Sequence, residues 1–86
     1  MIEIYGKHDC VWCDRAQELC RQYSLDFRYK GIDDNWDGEK HLTELRERMP
    51  NVRTVPQIWW HNKYIGGFEQ LAEEIQNTRS YGDGKI

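Results

Sequence analysis

An alternating run, MIEIY, passes within five residues into a C-x-x-C, Cys10 to Cys13, and that motif runs straight into helical periodicity. Period-two alternation argues for a strand, whose side chains point to opposite faces in turn. Ala16, Leu19, Cys20 and Tyr23 recur at helical spacing, so an amphipathic helix is predicted from Cys13 to Tyr23. Alternation returns in LDFRYKGID, where Leu25, Phe27 and Tyr29 share one face. Two strands joined through a helix are expected to run parallel, with a right-handed crossover. A C-x-x-C directly behind the first strand of such a unit is the pattern of a thioredoxin-like redox site.

The rest of the chain completes one small domain. DGEKHLTELRERM carries Leu42, Leu45 and Met49 at helical spacing, with acids early and arginines late, which suits the helix dipole. Pro50 and Asn51 end it. VPQIWW reads as a third strand, HNK as a hairpin turn, and YIGG as a short fourth strand. FEQLAEEIQNT is a last helix with Leu71 and Ile75 inward. RSYGDGKI has two glycines and no pattern, so residues 79–86 are expected to be a flexible tail behind a domain of residues 1–78. The predicted fold class is α/β, a four-stranded mixed sheet flanked by about three helices in the order β-α-β-α-β-β-α. Trp59 and Trp60 are neighbours in a strand, so they face opposite sides. Trp36 lies in a polar loop with no evident role, and His41 and His61 read as surface residues.

Only 38% of the 86 residues are hydrophobic, and four tryptophans, five tyrosines and two phenylalanines have to carry much of the core. A net charge of −3 argues against nucleic acid as a partner. No apolar leader or span is present, so the expected location is the cytoplasm, or the host cytoplasm for a viral chain. Disulfides are rarely structural there, and a C-x-x-C is more often catalytic or metal-binding.

His8, Cys10, Cys13 and Cys20 are four plausible zinc ligands by type. Seven residues along one helix, however, place Cys13 and Cys20 about 10 Å apart at ~1.5 Å per residue. Two sulfurs on one zinc each lie ~2.3 Å from it, and bridged cysteines have Cα atoms within ~7 Å, so this pair suits neither use. No metal is expected. A Cys10–Cys13 bridge closes a loop too small to restrain the unfolded chain much, but it makes sense as a reversible dithiol. Cys10 at the helix N-terminus is placed for a depressed thiol pKa. Lys7 adds to that, while Asp9 and Asp14 oppose it. Cys13, one turn on, can attack a mixed disulfide on Cys10. Cys20 reads as a small buried hydrophobe, and His8 as a residue flanking the site.

With CVWC, TVPQI and IGGFEQL in this order, the chain resembles the glutaredoxins, most nearly the short dithiol ones of tailed phages, over about residues 1–77. The resemblance implies a thioredoxin-like fold with Cys10 as nucleophile and Cys13 as resolving cysteine. It implies that glutathione is the co-substrate. Lys7 would meet its glycyl carboxylate, and Trp12 would stand beside the tripeptide in place of the usual tyrosine. Thr54, Val55 and a cis Pro56 would offer backbone to an extended ligand, a small case of β-augmentation. Gly67, Phe68 and Glu69 would receive the γ-glutamyl end. Taken alone, the paired glycines are also ordinary turn residues, and Lys7 an ordinary solvated charge.

Two departures stand out. C-V-W-C replaces the common C-P-Y-C, which frees a backbone N–H at Val11 and leaves open a glutathione-ligated iron–sulfur cluster between two subunits. GGFEQ replaces G-G-x-D-D, so Gln70 lacks the second acidic charge. The implied activity is glutathione-dependent thiol–disulfide exchange on protein disulfides and glutathionylated proteins, by a monomer with no membrane partner and with ribonucleotide reductase as one plausible client. A hydrogen donor reduced by thioredoxin reductase, a cluster-binding module and a non-catalytic interaction domain using Trp12, Trp59 and Trp60 are the alternatives.

Overall fold

The computed structural model describes residues 1–82, with side chains through Asn77. Seven elements follow in chain order: β1 (Ile2–Gly6), α1 (Val11–Gln22), β2 (Phe27–Gly31), α2 (Gly38–Arg48), β3 (Gln57–Trp60), β4 (Lys63–Gly66) and α3 (Phe68–Gly82). The order β-α-β-α-β-β-α and the four-stranded mixed sheet are those the sequence predicts. The strands lie in the order β2-β1-β3-β4. β1 and β2 are parallel, while β1/β3 and β3/β4 are antiparallel.

Alternation splits the core between the two faces of the sheet. Ile2, Ile4 and Ile58 pack with Ala16 and Cys20 of α1 and with Leu71 and Ile75 of α3. Tyr5 and Trp59 pack on the other face with Leu45 of α2. Trp59 is thus buried and Trp60, one residue on, is half-buried on the opposite side. The α2 interface differs from the apolar stripe predicted for it. Leu45 alone of the three stripe residues is fully buried, while Leu42 and Met49 are half-buried. Ions fill the rest: Lys30 Nζ meets Glu3 at 3.0 Å and Glu44 at 2.8 Å, Arg48 meets Glu3 at 3.0 Å, and the Tyr5 hydroxyl donates to Glu44 at 2.9 Å.

Several boundaries move for local reasons. α1 begins at Val11 rather than Cys13, because Val11 and Trp12 are exposed in its first turn and add nothing to the apolar period. β2 begins at Phe27 rather than Leu25, because the backbone of Leu25 is used to close α1. The Leu25 N–H donates to Cys20 O and the Ser24 N–H to Arg21 O, with Ser24 left-handed at φ 54°, which is a Schellman closure. β3 starts after the Val55–Pro56 peptide, which is cis, and proline has no N–H for a sheet ladder. The hairpin turn is His61–Asn62, both at positive φ, so Lys63 already belongs to β4. α3 continues to Gly82, since no proline or glycine interrupts it earlier. The predicted tail therefore begins inside α3, and residues 83–86 lie outside the described residues.

Candidate functional site

β1 ends at Gly6, and a four-residue loop carries the chain to α1. Asp33 anchors that loop. The His8 N–H donates to both Asp33 carboxylate oxygens at 3.1 Å, and the His8 ring Nδ1 lies 3.1 Å from Oδ1. Desolvation pushes the Asp33 carboxyl up, but the His8 N–H and ring together hold it below its usual value. His8 therefore does more than flank the site. Asp9 follows at φ 53° and delivers Cys10 to the N-cap of α1.

Cys10 has extended backbone, and its Sγ accepts the Cys13 N–H at 3.2 Å. That N–H is one of the first-turn donors a helix leaves without a helical acceptor. Cys10 and Cys13 are joined as a disulfide with Cα atoms 5.2 Å apart. Cys10 is half-buried and Cys13 fully buried, so only the first is open to a large reactant. The Val55 carbonyl oxygen lies 3.9 Å from Cys10 Sγ, where it can accept from the thiol once the pair is reduced. Cys20 packs in the core behind α1, and burial pushes its thiol up to about 11 against the pull of Arg21.

Beside the disulfide lies a groove of about 220 Å³ lined by Trp12, Val55, Pro56, Phe68, Glu69 and Gln70. Three elements build it: the first turn of α1, the bend before β3, and the first turn of α3. Trp12 is half-exposed, its ring 5.4 Å from that of Phe68, with the Arg15 guanidinium 4.8 Å from the indole. The groove thus offers an aromatic floor and the N-termini of two helices, a combination suited to an anionic, partly apolar ligand.

Five of the predicted binding residues meet in this groove. Three are placed differently. Thr54 is turned to structural use, its carbonyl and hydroxyl oxygens accepting from Gln57 Nε2 at 2.9 and 3.2 Å. Gln57 in turn accepts from the Tyr64 hydroxyl at 2.7 Å, which ties the Thr54–Pro56 bend to β4. Lys7 is exposed and lines a separate, larger cavity of about 580 Å³ among Asp9, Asp14, Asp33, Asp34 and Asp37. That cavity is lined largely by charged side chains, and it is the smaller groove that shares Trp12 and Val55 with the thiols. Gly67 contributes its N–H, but Gln70 Oε1 already accepts from it at 2.9 Å.

One polar residue, Gln57, was missed by sequence reasoning, although a glutamine between proline and isoleucine in an apolar strand was a signal. Gln70 was singled out as a departure from the acidic pattern, but its fold-back was not, although a glutamine three residues past a helix N-cap commonly reaches back to the cap N–H. His41 is not a free surface residue: its Nδ1 lies 3.0 Å from Gly31 O at the end of β2. Trp36 stands 91% exposed in the loop before α2. Among the described residues, no group of three or more His, Cys, Asp and Glu side chains is arranged to hold a metal ion, and no helix is long and apolar enough to cross a membrane.

Comparison with known proteins agrees with this geometry. The sequence model of the family described as Glutaredoxin matches residues 2–65. Glutaredoxin 1 of Salmonella typhimurium is 38% identical over 80 residues, covering 86% of this chain and 92% of that one. Glutaredoxin 1 of Escherichia coli is 32% identical over 78 residues, covering 87% and 92%. Among solved structures, a buckwheat glutaredoxin in complex with glutathione superposes with a TM-score of 0.72 at 25% identity, covering 90% of this chain and 69% of that one. The family match takes in both reactive cysteines and the Thr54–Pro56 bend, and stops just before the glycine pair at Gly66.

Proposed function

The chain belongs to the glutaredoxin family of thiol–disulfide oxidoreductases, and from that premise we propose that it draws its electrons from glutathione to reduce protein disulfides and glutathione mixed disulfides. The observation that carries the proposal is the bonded Cys10–Cys13 pair opening onto the Trp12–Val55–Phe68 groove.

In the reduced protein the Cys10 thiolate attacks one sulfur of a client disulfide. An S–S bond forms to Cys10, and the client's other sulfur leaves as a thiolate. The Cys13 N–H and the dipole of α1 stabilise the attacking anion. The Cys13 thiolate then attacks Cys10 Sγ, releases the client's second thiol and leaves the disulfide present here. One glutathione thiolate reopens that bond by forming a mixed disulfide on Cys10. A second attacks the glutathione sulfur of this adduct and leaves as glutathione disulfide, restoring the dithiol. On a glutathionylated client, Cys10 takes up the glutathione and a second glutathione finishes the cycle without Cys13.

Glutathione lies along the groove in this reading. Its backbone pairs with Val55 before Pro56, its flank lies on Trp12 and Phe68, and its γ-glutamyl carboxylate meets the first turn of α3 at Gly67, Phe68 and Glu69. Its glycyl carboxylate extends beyond the groove toward Lys7, and Thr54 holds the bend. The protein works as a monomer in the cytoplasm, with ribonucleotide reductase as one client.

The test is to oxidise the protein and follow NADPH consumption on a small mixed disulfide. One arm uses glutathione with glutathione reductase, the other thioredoxin reductase. Turnover in the first arm alone is expected. Turnover with thioredoxin reductase alone would overturn the glutathione reading.

A further inference from the structure

The first turn of α3 is occupied by the protein's own side chain. Gly67 is the N-cap of α3, and Gln70, three residues on, folds back so that its Oε1 accepts the Gly67 N–H at 2.9 Å. The fold-back is close. A Cβ placed on Gly66 would meet Gln70 Cγ at 2.9 Å, and Gly66 itself sits at φ 123°. Gln70 also lines the groove with Trp12, Val55 and Phe68. The amide oxygen thus stands on a donor that an incoming carboxylate would seek, at a helix N-terminus where an anion is favoured.

We infer that Gln70 is a specificity-determining residue that competes with the ligand's carboxylate for the Gly67 N–H, so that the groove opens for a γ-glutamyl thiol only when this amide is displaced. The inference rests on the glutathione reading of the groove. The competitor is weak for two reasons. Gln70 and Glu69 are exposed, so water solvates whatever is displaced. A neutral amide is also a poorer acceptor at this place than a carboxylate. The bond therefore sets a threshold on affinity and does not block the site.

The test uses the oxidised full-length protein titrated with S-methylglutathione, which keeps both carboxylates but cannot react, with the Gly67 amide resonance as readout. Gln70→Ala removes the competitor and is expected to tighten binding by about five-fold, the scale of one net hydrogen bond. Gln70→Leu removes the acceptor while keeping the bulk and the helix propensity, and is expected to tighten binding likewise. If Gln70 were only a helix cap, both variants would weaken binding or leave it unchanged, and that result overturns the inference. Because leucine is as good a helix former as glutamine, a poorly folded Gln70→Ala still leaves a decisive variant. Wild-type protein that binds no S-methylglutathione overturns the glutathione reading and this inference together. Wild-type binding that neither variant tightens overturns the inference alone.

Discussion

At the scale of single residues, the three cysteines show how surroundings divide one chemistry into three roles. Cys10 is half-buried at a helix N-cap, Cys13 is buried behind it, and Cys20 lies in the core. Replacing Cys10 by serine removes the nucleophile and is expected to abolish all turnover. Cys13→Ser keeps deglutathionylation, since a second glutathione can resolve the adduct, but loses reduction of protein disulfides. Assays on a glutathionylated peptide and on a disulfide protein check this, and loss of both activities in Cys13→Ser would refute the division. Cys20 should be inert. With its thiol at about 11, only about a thousandth is thiolate near pH 8. Mass spectrometry after iodoacetamide treatment of the reduced protein should find label on the motif cysteines and none on Cys20. The types and spacing of these residues were legible in the sequence. The anchoring of His8 by Asp33 was not, because 25 residues separate the two and only the adjacent ends of β1 and β2 bring them together.

Among the elements, α2 departs most from its sequence pattern. Three apolar positions predict an oily stripe, yet the contact with the sheet is largely ionic, built on Lys30 between Glu3 and Glu44. Lys30→Met strips both carboxylates of their shared ammonium. It should cost about 2 kcal/mol, the range for hydrogen bonds between charged groups, measured by urea unfolding. The same cluster sets a pH dependence. Desolvation pushes Glu3 up, but Lys30 and Arg48 hold it below its usual value, and Lys30 also lowers Glu44. A lowered folded value means the stabilisation is fully present above the unfolded value of 4.5 and is lost as pH falls through the folded one. Lys30 is raised above 10.5: desolvation opposes this, and Glu44 and Glu3 outweigh it. Its share is complete below 10.5 and lost as pH rises through the folded value. Thermal melts should show a loss on both flanks, and Lys30→Met should flatten each. The sequence hid this interface because Glu3, Lys30, Glu44 and Arg48 each look like ordinary solvated charges until the sheet sets Lys30 beside Tyr5, diagonal to Glu3, and α2 brings Glu44 and Arg48 against them.

For the molecule as a whole, the sheet is the frame and the helices are its two covers, with the site at the end where both helix N-termini and the Val55–Pro56 bend converge. Leu71 and Ile75 are the last inward residues of α3 among those whose side chains are described. We therefore propose residues 1–78 as the folding unit, and a chain ending at Thr78 should melt within a few degrees of the full chain. A larger fall would place needed packing beyond that point. The sequence by itself determined the element order, the parallel β-α-β start and the reactive pair, because periodicity, turn residues and motif spacing are local properties that neighbours a few positions apart enforce. Only the tertiary structure decided which groups share a surface. It placed Lys7 in an acidic cavity rather than in the groove, gave the Thr54 hydroxyl to Gln57, and set Gln70 on the Gly67 N–H. Those outcomes depend on strand register and on where side chains find partners in space, which no single stretch of the chain encodes.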